Sequence, residues 1–168
     1  MVIGNPPFGR GSRVAVVFFN HAARFASVIA MNLLRTVRKA GTKNKLDRSF
    51  HLVVEQIVPR NASEFQGMEH DVPTVFQIWE HRAEPRPLRP VEMAHPDFRF
   101  VTPADADFAT RRIALKAGMV HRYLTVSPSS HYFIKGDVEA AMRELDLAGA
   151  AADTAAIPSL AKNEIVAL

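Results

Sequence analysis

No cysteine occurs among the 168 residues. Disulfides and thiolate zinc sites are therefore excluded, as is any covalent mechanism that begins with a thiolate. No apolar run approaches the ~20 residues that a helix needs to cross a bilayer. The amino terminus, Met1 followed by Val-Ile-Gly-Asn-Pro-Pro, has neither the basic start nor the apolar stretch of a secretory signal. The expected address is the cytoplasm, with no membrane partner. There is no His-Glu-x-x-His pair, no phosphate-binding Gly-x-x-x-x-Gly-Lys loop, no Gly-x-Ser-x-Gly elbow and no internal repeat. Gly9-Arg10-Gly11-Ser12-Arg13 falls short of a dinucleotide-binding turn, because Val14 stands where the third glycine is required.

The composition that remains is that of a folded chain. Hydrophobic residues make up 48% and charged residues 23%, enough apolar surface for one domain, or for one core with a small appendage. Lys and Arg total 21 against 17 Asp and Glu, and the net charge of +4 suits a polyanionic partner.

Near the start, a short apolar strand end, Val2-Ile3-Gly4, runs into Asn5-Pro6-Pro7-Phe8. Two prolines fix φ and remove two backbone donors, so the Asn5 amide oxygen and the carbonyl oxygens of the turn are left as acceptors. An exocyclic NH2 group offers two hydrogens, and two such acceptors hold it with its lone pair directed outward. The ring of Phe8 provides a flat surface for a base taken out of its stack.

This constellation resembles the catalytic tetrapeptide of S-adenosylmethionine-dependent amino-methyltransferases, above all the adenine-N6 DNA methyltransferases. The resemblance implies that Asn5 and Pro6 accept hydrogen bonds from the target amino group, Pro7 keeps the turn rigid and Phe8 stacks on the base. It implies S-adenosylmethionine as methyl donor and DNA as partner, with RNA or a protein glutamine side chain as alternative acceptors. Cytosine C5 transfer, which needs a thiolate, is excluded by the missing cysteine. A second reading is a noncatalytic, basic nucleic-acid-binding or scaffold module.

Basic residues follow in two groups. Arg10 and Arg13 lie in the loop after the tetrapeptide, within reach of phosphates beside an extruded base. Arg35, Arg38, Lys39, Lys43, Lys45 and Arg48 crowd the stretch 35–48, a candidate for backbone contact. Between them, Val14, Phe18, Ala22 and Phe25 recur at helical spacing and predict a helix over 14–26 with that stripe buried. The run 27–31 reads as a buried strand, interrupted at Asn32 and resumed at Leu33-Leu34. Strands are expected over 50–58 and 74–80, joined without a convincing helix and therefore antiparallel.

The segment Glu84-Pro85-Arg86-Pro87-Leu88-Arg89-Pro90 reads as a stiff spacer. Beyond it, Thr102-Pro103-Ala104-Asp105 has the pattern of a helix start. That predicts a helix ending at Gly118, with Phe108 and Leu115 inward and Arg111, Arg112 and Lys116 outward. Arg122 follows as a further phosphate candidate. A strand is expected at 132–134, a helix from Asp137 to about Leu147, a linker or weak helix over 148–156 and a last helix capped by Ser159.

The expected fold class is α/β: the second half of a Rossmann-like methyltransferase sheet, parallel strands plus an antiparallel edge pair, with a small α+β appendage. The expected division is a catalytic-motif half at 1–84, a linker at 85–90 and an accessory or target-recognition segment at 91–168. The glycine-rich turn and acidic residue that hold the cofactor in such folds precede the tetrapeptide in most orderings. No strand–Gly-x-Gly–helix unit follows it either, at Gly118, Gly136 or Gly149. The cofactor half is therefore expected on a preceding segment or on another chain that completes the sheet.

Overall fold

In a computed structural model the described residues are 1–59, 64–65, 68–69, 72–154 and 157–167, without the side chains of Arg10 and of 64–65 and 68–69. The chain divides into two units, Met1–Arg89 and Pro90–Leu168, each with its own sheet and core.

Unit 1 begins with β1 (Val2–Gly4), a 3-10 turn (Arg10–Ser12) and α1 (Arg13–Ala22). It continues with β2 (Val28–Leu34), a second 3-10 turn (Arg35–Arg38) and the short α2 (Ala40–Lys43). Then come β3 (Phe50–Ile57), the small hairpin β4 (Glu64–Phe65) and β5 (Met68–Glu69), and β6 (Thr74–His81). Its four-stranded sheet runs in the order β1-β2-β6-β3. β1 is parallel to β2, whereas β6 lies between β2 and β3 and is antiparallel to both. β2 and β3 therefore run the same way, with the reversed strand inserted between them. β3 carries an irregularity between Leu52 and Val54.

The helical pattern over 14–26 gives a helix, but the buried stripe differs from the expected one. Ala15, Phe19 and Ala22 turn to the sheet, and Val14, Phe18 and Phe25 are exposed. Ile29, Met31 and Leu33 alternate along one face of β2 and meet that stripe. Phe19 is fully buried between Phe50 and Trp79, edge to face, with ring centroids 5.8 and 5.4 Å away. Such pairs add about 0.5–1.5 kcal/mol beyond area burial. Asn32 does not break β2: opposite Phe76, it keeps its ladder position.

Unit 2 contains β7 (Arg99–Val101), a 3-10 turn (Pro103–Asp105), β8 (Phe108–Arg111), β9 (Val120–His121) and β10 (His131–Lys135). Three short helices complete it: α3 (Glu139–Glu144), α4 (Leu147–Ala152) and α5 (Lys162–Val166). All its strand pairs are antiparallel, in the order β7-β10-β8-β9.

The helix expected over 102–118 is absent. Thr102 Oγ1 donates to Asp105 Oδ2 at 2.7 Å, closing a single 3-10 turn. From Phe108 onward the backbone is claimed by the ladder with β10 instead. Ala114 and Gly118 then adopt left-handed φ of 75° and 95°, and Leu115 is 98% exposed instead of inward. Ser159 makes a bridge to Ile113 and does not cap α5, whose start is closed by Glu164 accepting from the Ala161 N–H. Asp146 caps α4 by accepting from the Gly149 N–H, so the alanine-rich segment is helical in part. Among the described residues, no helix is long and apolar enough to cross a membrane.

Candidate functional site

β1 is the first strand of the sheet order, so Asn5-Pro6-Pro7-Phe8 leaves the carboxyl end of an edge strand. Asn5 and Pro7 are exposed, Pro6 is buried and Phe8 is half-buried. The Phe8 carbonyl accepts from the Ala15 N–H at 3.4 Å, which ties the turn to the first turn of α1. The Asn5 amide is thus open to solvent on a turn anchored from both sides.

The residues after the turn are conformationally special. Gly9 and Gly11 have φ of 64° and 60°, and Ser12 shares this left-handed region at 64°. At Gly9 a Cβ would lie 2.3 Å from the Val14 side chain, so glycine is required on two counts. Ser12 is buried, and its hydroxyl makes no hydrogen bond among the described residues. Asn32 Oδ1, Arg35 Nε, Thr36 Oγ1 and Thr74 Oγ1 are likewise buried without a partner among them. These four come from β2, the turn after it and the first residue of β6, where the sheet pairs Leu34 with Thr74. The Arg10–Ser12 turn packs beside the Arg35–Arg38 turn. Most buried polar atoms in folded proteins have a hydrogen-bond partner, so this group of atoms is an exception.

Of the predicted phosphate contacts in unit 1, Arg13 is exposed as the first residue of α1, and the Arg10 side chain lies outside the described residues. Arg35, Arg38 and Lys39 are half-buried. Arg38 donates to Glu55 Oε1 through Nε at 3.0 Å and Nη2 at 2.7 Å. Glu55 Oε2 accepts from Gln77 Nε2, and Gln77 Oε1 accepts from the Trp79 indole at 3.0 Å. Glu55 and Gln77 are cross-strand neighbours, and Gln77 and Trp79 share a face of β6, so the sheet register itself builds this chain. Burial pushes the Glu55 carboxyl up, but the hydrogen bonds from Arg38 and Gln77 outweigh it and hold the carboxyl below its ordinary 4.5.

The predicted contacts in unit 2 occupy separate environments. Arg111 donates through Nε to the Ile113 carbonyl at 3.1 Å. Arg112 places its guanidinium 5.2 Å from the Tyr132 ring centre. Lys116 is exposed on the turn before Gly118, and Arg122 pairs with Glu139 at 2.7 Å. Because no helix forms there, Arg111, Arg112 and Lys116 do not share one helical face. Close to them, the buried rings of His121 and His131 stand 5.0 Å apart. Both are pushed below the ordinary 6.5, chiefly by burial, His121 also by His131 and Arg111.

Local sequence carries no signal for the network of Glu55, Gln77 and Trp79 or for Arg86 and Arg89, whose partners are set by strand register and nonlocal packing. Residues 1–46 contain Arg10, Arg13, Arg24, Arg35, Arg38, Lys39, Lys43 and Lys45 but no acid. Comparison with protein-family models, with curated proteins and with solved structures finds no match.

Proposed function

We propose that unit 1 is the acceptor-binding part of an amino-methyltransferase acting on the N6 amino group of adenine in DNA. The observation that carries this reading is the solvent-open Asn5 amide on a Pro-Pro turn at the carboxyl end of β1. In open α/β sheets, ligands bind outside the carboxyl ends of the strands. The strand order, with a reversed strand inserted beside the edge, resembles the second half of a Rossmann-like methyltransferase sheet and supports the same reading.

Asn5 Oδ1 and the Pro6 carbonyl would each accept one hydrogen of the amino group, and Phe8 would support the base. Acceptors fixed in advance at a nitrogen that becomes positive stabilise the developing charge without reorganising. The methyl donor of the family is S-adenosylmethionine. No segment among the described residues fits its usual Gly-rich strand–turn–helix cradle.

A duplex carrying 2-aminopurine next to an adenine tests extrusion of that adenine without the donor. Binding should raise the 2-aminopurine fluorescence as the adenine leaves the stack, and Phe8→Ala should weaken binding by about 1–3 kcal/mol, the usual worth of one base–aromatic stack. Unchanged fluorescence at saturating protein would remove the reading.

A further inference from the structure

We infer that the basic stretch 35–48 and the Pro-rich segment 84–89 form one phosphodiester-binding surface, with Arg48 and Arg89 as phosphate ligands and Arg86 as its buried organiser. The inference rests on the nucleic-acid reading of unit 1 and adds the segment that the sequence presents as a spacer.

The two segments are zipped together. The Arg86 N–H donates to the Arg48 carbonyl at 2.8 Å, and Arg48 Nε returns a bond to the Arg86 carbonyl at 3.0 Å. Asn44 and Arg89 repeat this reciprocity: Asn44 Nδ2 donates to the Arg89 carbonyl at 2.9 Å, and the Arg89 N–H donates to Asn44 Oδ1 at 3.0 Å. Arg89 Nη1 reaches the Arg38 carbonyl at 3.3 Å. Arg86 is only 6% exposed. Its Nη2 donates to the carbonyls of Lys43 and Leu46 at 2.6 and 2.8 Å, and its guanidinium stands 5.8 Å from the Trp79 ring centre.

This zipper brings Lys43, Arg48, Arg86 and Arg89 together, with Glu55 and Asp47 as the acids that act on them. Lys43 is held below its ordinary 10.5 by burial first, then by Arg89 and Arg86, against the pull of Glu55. Arg86 is lowered by burial first, then by Arg48 and Arg89, against the pull of Asp47. Glu55, the acid nearest Arg38 and Lys43, is engaged by Arg38 and Gln77. Mutually repelling cations held by designed backbone contacts raise the energy of the free protein, and an arriving polyanion relieves it. Guanidinium groups fixed at the backbone match phosphate oxygens in pairs. The adjoining Arg10–Ser12 turn continues the surface toward Asn5.

The test measures binding of the full chain to a mixed-sequence duplex of about 20 base pairs between about 50 and 200 mM salt. Arg89→Ala and Arg48→Ala should each lower the slope of log affinity against log salt by about 1. Arg89→Lys should restore the slope, because a point charge still meets phosphate. Asn5→Ala should leave the slope intact, which separates this surface from the acceptor site. An unchanged slope in both alanine variants, with the parent fold by circular dichroism, overturns the inference. So does displacement of the duplex by inorganic phosphate at matched ionic strength, or binding to phosphatidylglycerol vesicles without binding to the duplex. Should Arg89→Ala misfold, a slope unaltered in Arg48→Ala decides against it equally.

Discussion

Glu55 draws its titration from two neighbours, Arg38 and Gln77, and its stabilising contribution follows from the sign of that shift. Its folded value lies below the ordinary 4.5, so the contribution is complete above that pH and is lost as pH falls through the lower folded value. Acid titration of the melting temperature should show this loss below about 4.5, and Glu55→Gln should remove that part of the pH dependence. His121 and His131 act in a different window. Their folded values lie below 6.5, so the unfolded chain takes up protons first as pH falls. Unit 2 should hold full stability above about 6.5 and weaken as pH drops below it, and His121→Gln should flatten that decline in a pH series of urea melts. Gly118 is one of the constrained backbone positions in that unit. At φ 95° an added Cβ would lie 2.8 Å from the Ala148 nitrogen, so Gly118→Ala should destabilise by about 1 kcal/mol or more.

α1 shows which physical signal was legible and which was not. Its period is plain in the apolar spacing, and the helix forms over Arg13–Ala22. Its orientation depends on which of two apolar stripes meets β2, and only Ala15, Phe19 and Ala22 do so. Phe19→Ala should therefore cost about 3–5 kcal/mol in a urea melt, whereas Phe18→Ala should cost far less. The strands around the candidate site were legible because β-branched and apolar runs between turn signals are local: β1, β2, β3, β6 and the core of β10 lie where expected. The 102–118 segment was not. Its helix-start pattern supports one 3-10 turn, and nonlocal pairing of Phe108–Arg111 with β10 overrides helical spacing thereafter. A ladder with a partner some twenty residues away leaves no trace in a window of local sequence. For the same reason the Glu55–Gln77–Trp79 chain was invisible until the register set its members side by side.

Across the whole molecule, two sheets of different kinds are assigned to two units: mixed in Met1–Arg89, wholly antiparallel in Pro90–Leu168. The charge is distributed as unevenly as the architecture. The first acid of the chain is Asp47, so the candidate acceptor turn and both 3-10 turns of unit 1 lie in a purely cationic stretch. A net charge of +4 for the entire chain conceals this asymmetry. The Pro-rich segment does not hang between the units: its residues to Arg89 are bonded to the basic stretch of unit 1, and the division falls at Pro90. Recognition of an amino group at Asn5 is the proposal on which the others depend. The direct measurement compares binding of two hairpin oligonucleotides, one with a bulged adenine and one with a bulged N6,N6-dimethyladenine that has no N–H to donate. The parent chain should prefer the unmethylated bulge by about tenfold, as two lost hydrogen bonds imply, and Asn5→Ala should bind both alike. Equal affinity of the parent chain for the two hairpins would contradict the account.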